Sequence, residues 1–228
     1  MSILIKKFGN QFIFYDKEIG IDIEEWFLKE KFEIQKQDNT VLINEKKWIK
    51  KHYIRKGLMT FLGDLYLNSS IQSSRSYLEF SLINGLHKNG FPTCRPIMGW
   101  ITKNKFTYTA NLITEYIPSI NLKNYIEQNK MEKKDWHTVG VLIATLHQQN
   151  VFHGDLNITN ILVNENDDEL EKFLLIDFDK SKQKFMTYKD KQSNLNRISR
   201  SLKKNKLFDE NNFNILLEGY NKVSFLDE

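Results

Sequence analysis

The sequence predicts an α+β chain in two lobes, the first rich in strands and the second mainly helical. Three observations predict it. Short β-compatible runs dominate up to about residue 117, broken by one helical stretch. Beyond residue 118 the apolar periodicity is helical, with a short buried β insert. The 228 residues, 40% hydrophobic and 13% aromatic, suffice for one large domain or two small lobes with packed cores. The expected division is an N-lobe over 1–117 and a C-lobe over 118–228, joined at ANLITEYIPS.

Taken in order, Phe8, Phe12, Phe14 and Tyr15 suggest a hairpin within residues 1 to 22. TVLINEKKWIKKHYIRKG (40–57) holds two β runs; in the second, Trp48, Lys50 and His52 face one way and Ile49, Lys51 and Tyr53 the other. SRSYLEFSLINGLHKNGFP (74–92) reads as a helix with a Leu78, Leu82, Leu86 stripe, stopped at Gly90-Phe91-Pro92. RPIMGWIT (95–102) and FTYTANLITEYI (106–117) read as strands. DWHTVGVLIATLHQQN (135–150) is an amphipathic helix with Val139, Leu142, Ile143 and Leu146 on one face. KFLLIDFDKSK (172–182) is a buried strand ending in acids, and the chain from about residue 190 is helical.

Composition excludes several classes. Lys and Arg total 33 against 29 Asp and Glu, a net of +4, which suits an anionic substrate or surface without requiring one. Cys94 is the only cysteine, so no intrachain disulfide or cysteine metal cluster can form, as suits a reducing cytosol. MSILIKKFGN has its lysines after a short apolar run, the wrong order for a secretory signal. No apolar run approaches the ~18 residues of a spanning helix.

The chemistry concentrates in VFHGDLNITNILVN (151–164), where His153, Asp155 and Asn160 lie between two apolar pairs. HGDLNITN matches the H-R-D-L-x-x-x-N pattern of kinase catalytic loops, with Gly154 in place of Arg. IDFDK follows with Asp177 and Phe178, and Asp179 where D-F-G has glycine. Phosphoryl transfer from ATP needs a carboxylate for the acceptor's proton, oxygen ligands for divalent metal, and a cation for the nucleotide. Asp155 is assigned as base or orienter. Asn160 and Asp177 are assigned as Mg²⁺ ligands, and His153 as a loop brace. Upstream, Lys51 takes the phosphate-pairing position, with Lys46 and Lys50 as competitors. Glu79 is its ion-pair partner, and Glu115 and Ile117 are the hinge residues whose backbone would bond adenine. No G-x-G-x-x-G exists, and the 8–15 hairpin is the candidate to cover the phosphates. Gly154 and the short chain after Asp179 argue against a phosphorylation-regulated protein kinase.

The sequence resembles the 3-deoxy-D-manno-octulosonic acid (Kdo) kinases of Gram-negative lipopolysaccharide synthesis. The resemblance rests on WIKKHYIRKGLMTFLGDLYL (48–67), SRSYLEFSLINGLHKNGFPTCRPIMGW (74–100), ANLITEYIP, HGDLNITNILV, LIDFDKSK and NLNRISRSLKK, in order. It runs from about residue 45 onward, and residues 1 to 40 match poorly. The family commonly has Ala or Gly after the loop His and an acid in place of the D-F-G glycine; it would have Arg where Lys51 stands. The resemblance implies a small protein-kinase-like two-lobed fold, with ATP and Mg²⁺. It implies phosphorylation of the 4-hydroxyl of Kdo on a Kdo-lipid A precursor at the cytoplasmic face of the inner membrane. Arg197, Arg200 and Lys204, at i, i+3 and i+7 of a basic helix, then become candidate lipid or substrate contacts, as does Arg55.

Two other classes compete. An aminoglycoside or choline phosphotransferase, or a small atypical RIO-type protein kinase, fits the H-G-D loop but not the 48–67 and 74–98 matches. A pseudokinase scaffold would have lost a metal ligand or base, yet Asp155, Asn160 and Asp177 are all present. No aromatic interleaving supports nucleic-acid stacking, and no obligate protein partner is evident.

Overall fold

The computed structural model of the chain describes residues 3–34, 39–54, 64–67, 70–165 and 172–224. The chain divides into two compact units, Met1–Gly85 with Cys94–Ile117, and Leu86–Thr93 with Pro118–Glu228.

The first unit is built on an antiparallel sheet. Strands β1 (Ile3–Phe8) and β2 (Gln11–Asp16) form a hairpin with Phe8 opposite Gln11. Gly9 takes φ +61° at the turn, the left-handed position such a two-residue loop demands. Then come helix α1 (Ile23–Ile34), β3 (Thr40–Ile43), β4 (Trp48–His52), β5 (Tyr66–Leu67), helix α2 (Arg75–Lys88), β6 (Pro96–Lys103) and β7 (Thr107–Glu115). The strand order is β1-β2-β6-β7-β4-β3, with β5 paired to β7. Alternation along β4 buries Trp48, Lys50 and His52 and leaves Ile49 and Lys51 half-buried, as its pleat predicts.

Helix α1 is a second helix where the sequence reading expects only one. Asp22 accepts the Glu25 N–H at 2.9 Å and caps it. Ile23 and Phe27 are buried, Phe27 meeting the Trp100 ring at 5.8 Å, while Trp26 meets Trp48 edge-on at 4.7 Å. These join Ile13, Tyr15, Ile97, Met98 and Ile113 in one core.

Helix α2 also departs from expectation. Leu78 is exposed and Leu82 only half-buried; the inward face is Ser76, Glu79, Phe80, Ile83 and Asn84, with Leu86 also buried. The helix is rotated because its polar residues have partners inside. Asn84 donates to the Asp16 carboxylate at 2.6 Å, for example.

The second unit comprises β8 (Ile120–Asn121), α3 (Leu122–Glu127), α4 (Lys133–Gln148), β9 (Val151–Phe152), β10 (Ile161–Val163), β11 (Phe173–Leu175), β12 (Lys182–Gln183), α5 (Tyr188–Lys204) and α6 (Glu210–Ser224). Val139, Leu142, Ile143 and Leu146 of α4 are all buried, as the periodicity predicts. Helices α4 and α6 meet at backbone distance. A Cβ on Gly140 would lie 1.9 Å from the Leu216 carbonyl oxygen, and one on Gly219 would lie 2.0 Å from that of His137.

The strand expected over 172–182 is shorter. Only Phe173–Leu175 pairs with β10, because Asp177 takes φ +62° and leaves the β region. The chain then returns as β12, antiparallel to β9.

Candidate active site

Strands β9 and β10 hold the loop between them, anchored by the buried side chains of Val151, Ile161 and Val163. His153 is fully buried. Its Nδ1 accepts the Asp155 N–H at 3.2 Å, so Nε2 carries the proton and donates to the Ile176 carbonyl at 3.1 Å. Burial above all, with a smaller push from the Arg197 charge, holds the imidazole down to about 4. His153 is therefore a neutral brace tying the loop to the residue before Asp177.

Asn160 provides the next tie. Its Nδ2 donates to the Asp155 carbonyl at 2.9 Å, which orients the amide and leaves Oδ1 as the oxygen available to a cation. Its own carbonyl accepts the Ile176 N–H at 3.0 Å. Asp155, Asn160 and the strand end before Asp177 are thus linked, through His153 and Ile176, by four hydrogen bonds. Asp177 occupies the left-handed region, which Asp tolerates better than most residues and which is enriched at functional sites. The Asp155 carboxylate is partly exposed, 3.5 Å from Lys180 Nζ.

Gly154 stands where the kinase pattern has Arg, and the geometry explains it. A Cβ there would lie 2.0 Å from the Lys180 carbonyl oxygen, so no side chain fits.

The Asn160 amide oxygen and the Asp177 carboxylate are hard donors of the type Mg²⁺ takes. Among the described residues, no group of three His, Cys, Asp or Glu could hold a metal ion. The donors therefore fit an ion that completes its shell with water and phosphate, not a self-sufficient cage.

In the first unit, Lys51 Nζ lies 3.0 Å from both carboxylate oxygens of Glu79. Glu79 is buried and also accepts from the Tyr53 hydroxyl. The competitors lie elsewhere: Lys50 is buried in the sheet, and Lys46 sits exposed in the β3–β4 turn. Glu115, exposed, ends β7 and donates its N–H to the Arg95 carbonyl at 2.8 Å; Ile117 is half-buried two residues on. Burial, with the Glu115 charge, pushes the Cys94 thiol up to about 12, which removes it as a nucleophile.

Helix α5 supplies residues the sequence reading missed. Asn194, fully buried, donates to the His153 carbonyl at 2.8 Å and accepts the His153 N–H at 3.2 Å. It also accepts from His147 Nε2 at 3.0 Å, while His147 Nδ1 meets the Tyr220 hydroxyl at 2.9 Å. Two turns further on, the Ser201 hydroxyl accepts the Ile158 N–H at 3.2 Å. The available signal was a polar Asn and His on otherwise apolar helix faces.

Arg197 lies between Asn194 and Ser201 on that flank. It is half-buried, and its Nε is shut from solvent without a hydrogen-bond partner among the described residues. The expected stripe is therefore split: Arg197 turns toward the protein, whereas Arg200 and Lys204 are exposed. Arg200 Nε donates to the Asn196 carbonyl at 3.3 Å. The cause is the grip of Asn194 and Ser201 on the loop, which draws that flank of the helix inward. Arg55 lies outside the described residues.

Comparison with known proteins places the chain in a family. The profile of the Lipopolysaccharide kinase (Kdo/WaaP) family matches residues 30–220. A 3-deoxy-D-manno-octulosonic acid kinase of Pasteurella multocida is 41% identical over 178 residues, covering 75% of this chain and 73% of that protein. One of Mannheimia succiniciproducens is 36% identical over the same span and coverage. The structure titled "WaaP in complex with acyl carrier protein" superposes with TM-score 0.56 at 12% identity, over 99% of this chain and 80% of that one, a likeness of fold. With a kinase-like α+β fold, a braced H-G-D loop and matches of this extent, the chain belongs to the lipopolysaccharide kinase (Kdo/WaaP) family.

Proposed function

We propose that this kinase transfers the γ-phosphoryl group of ATP to the 4-hydroxyl of Kdo on a Kdo-lipid A precursor, at the cytoplasmic face of the inner membrane. The observation that carries the reading is the linkage of Asp155, Asn160 and the strand end before Asp177 through His153 and Ile176. The names of the Pasteurella and Mannheimia relatives support Kdo as the acceptor sugar. No helix among the described residues is long and apolar enough to cross a membrane, which is compatible with peripheral attachment.

Each residue has a role in the transfer. Asp155 orients the sugar hydroxyl and receives its proton as the oxygen attacks the γ-phosphorus; the bond to the bridging oxygen breaks and ADP leaves. Asn160 Oδ1 and the Asp177 carboxylate would hold Mg²⁺, which would screen the phosphate charge. Lys51, aimed by Glu79, pairs with the nucleotide phosphates; the backbone of Glu115 and Ile117 bonds the adenine. His153 moves no proton, since it stays neutral at working pH. Arg197 reads an anionic group of the acceptor, and Arg200, Lys204 and Arg55 meet lipid headgroups or the acceptor's phosphates.

The test is incubation with radiolabelled ATP and Mg²⁺ against Kdo-lipid precursor, free Kdo, aminoglycosides and a generic protein. Label on the Kdo lipid is expected. Label on an aminoglycoside or on protein, with none on Kdo, would replace this reading by the small-molecule or RIO-type alternative.

A further inference from the structure

The segment from Asp177 into the first turn of α5 carries two aromatic rings that the fold leaves exposed. Phe185 is 83% exposed and Tyr188 76%, while Met186 between them is buried. Their frame is fixed at both ends. On one side β12 pairs with β9, and the Lys184 N–H donates to the Asn150 carbonyl at 2.8 Å. On the other, Thr187 and Asp190 form a reciprocal cap that starts α5. Lys184 Nζ, 2.5 Å from the Asp190 carboxylate, crosses between the two. The rings are thus presented by a pinned backbone, not by a frayed end.

The charge around them is of one sign. Lys182, Lys184 and Lys189 are exposed beside the rings, and Asp190, the only acid from Lys180 to Lys191, is already held by Lys184 and Thr187. Exposed aromatic rings flanked by lysines match the boundary of an anionic bilayer, where rings enter the headgroup layer and ammonium groups meet acidic lipid. A protein partner would need acids of its own opposite these lysines, and nothing on the segment would hold it in register.

We propose that Phe185 and Tyr188, with Lys182 and Lys189, form the surface by which the enzyme seats on anionic membrane. The inference rests on the reading that the acceptor lies in a bilayer, and it adds which surface touches. Because β9 leads directly into His153, the rings are tied by one short ladder to the catalytic loop. Their depth of insertion then sets the height of Asp155 above the lipid plane.

The test is co-sedimentation with phosphatidylcholine vesicles, with and without phosphatidylglycerol, for wild type, Phe185→Ser/Tyr188→Ser and Lys182→Glu/Lys189→Glu. Wild type should bind the anionic vesicles. Each double variant should lose about tenfold or more in partition, with thermal unfolding and phosphorylation of detergent-dispersed acceptor unchanged. Wild-type-like partition of the aromatic variant overturns the proposal. So does a wild-type dimer that this variant converts to monomer without change in partition, which would mark the face as a contact between copies. Absence of label on any Kdo acceptor in detergent would sink the proposed reaction while leaving the partition result to judge the surface by itself.

Discussion

Asn194 holds both backbone groups of His153, donating to its carbonyl at 2.8 Å and accepting its N–H at 3.2 Å. A side-chain amide here does the work of a neighbouring strand, and it does so for the residue that braces the H-G-D loop. Asn194→Ala would leave those two groups and His147 Nε2 buried without partners. A loss of about 3 kcal/mol in stability is expected, read by urea denaturation, together with a fall in kcat larger than any change in KM for ATP.

Acid should weaken the fold through two histidines. Burial foremost lowers both His147 and His153 from 6.5 to about 4. In the unfolded chain each imidazole gains a proton near pH 6.5, whereas the folded chain refuses it down to about 4. The unfolded state therefore binds more protons in that window, and stability is full above it and falls as pH drops through it. The slope approaches about 1.4 kcal/mol per pH unit for each histidine. Denaturation midpoints across that range measure it, and His147→Gln should remove about half of the slope.

Asp155 and Asp177 separate chemistry from folding. Asp155→Ala should lower turnover about a thousandfold without shifting the unfolding midpoint, since its carboxylate is partly exposed and its ion pair is to an exposed lysine. Asp177→Ala should also abolish turnover, but with a small stability cost from forcing Ala into φ +62°. Asp177→Asn avoids that cost, because Asn tolerates the left-handed region, and should raise the Mg²⁺ requirement. Substantial turnover in Asp177→Ala at ordinary Mg²⁺ would contradict the ligand role.

Lys51→Met strips one partner from a carboxylate that is almost wholly buried. Tyr53 remains to donate to Glu79, so the expected loss is about 2 kcal/mol, below that for a fully enclosed pair. kcat/KM for ATP should fall by about a hundredfold. Glu79→Gln should spare more stability while still lowering ATP use, and thermal melts beside ATP titrations distinguish the two effects.

Much of the architecture was legible because it follows from period and punctuation. The alternation of β4 sorted its residues onto the two faces the strand shows, and the stripe of α4 marked the face that is buried. The loop was legible because HGDLNITN carries its own geometry: the His153 ring accepts the Asp155 N–H, and the Asn160 amide donates to the Asp155 carbonyl.

What resisted reading has common physical causes. Helix α1 hides its apolar residues Ile23, Trp26 and Phe27 among many charges, although Asp22 and Glu25 had the spacing of a cap. The face of α2 was misjudged because counting leucines assumes that the remaining polar residues point outward; Glu79 was expected at Lys51, but Asn84 also points inward, to Asp16 far away in sequence. Asn194 and His147 escaped for the same reason, their partners lying 41 and 73 residues away. Likewise, no local pattern marks Gly154 as the point where the Lys180 backbone presses in.

The close packing of α4 against α6 carries a genetic consequence. Leu216 fills the notch at Gly140, and the Tyr220 hydroxyl steadies the ring that steadies Asn194. A stop codon ahead of Leu216 would leave every reacting residue encoded and still yield an inert product. Screens for loss of this step should therefore collect lesions among the α6 codons as readily as at Asp155 and Asp177.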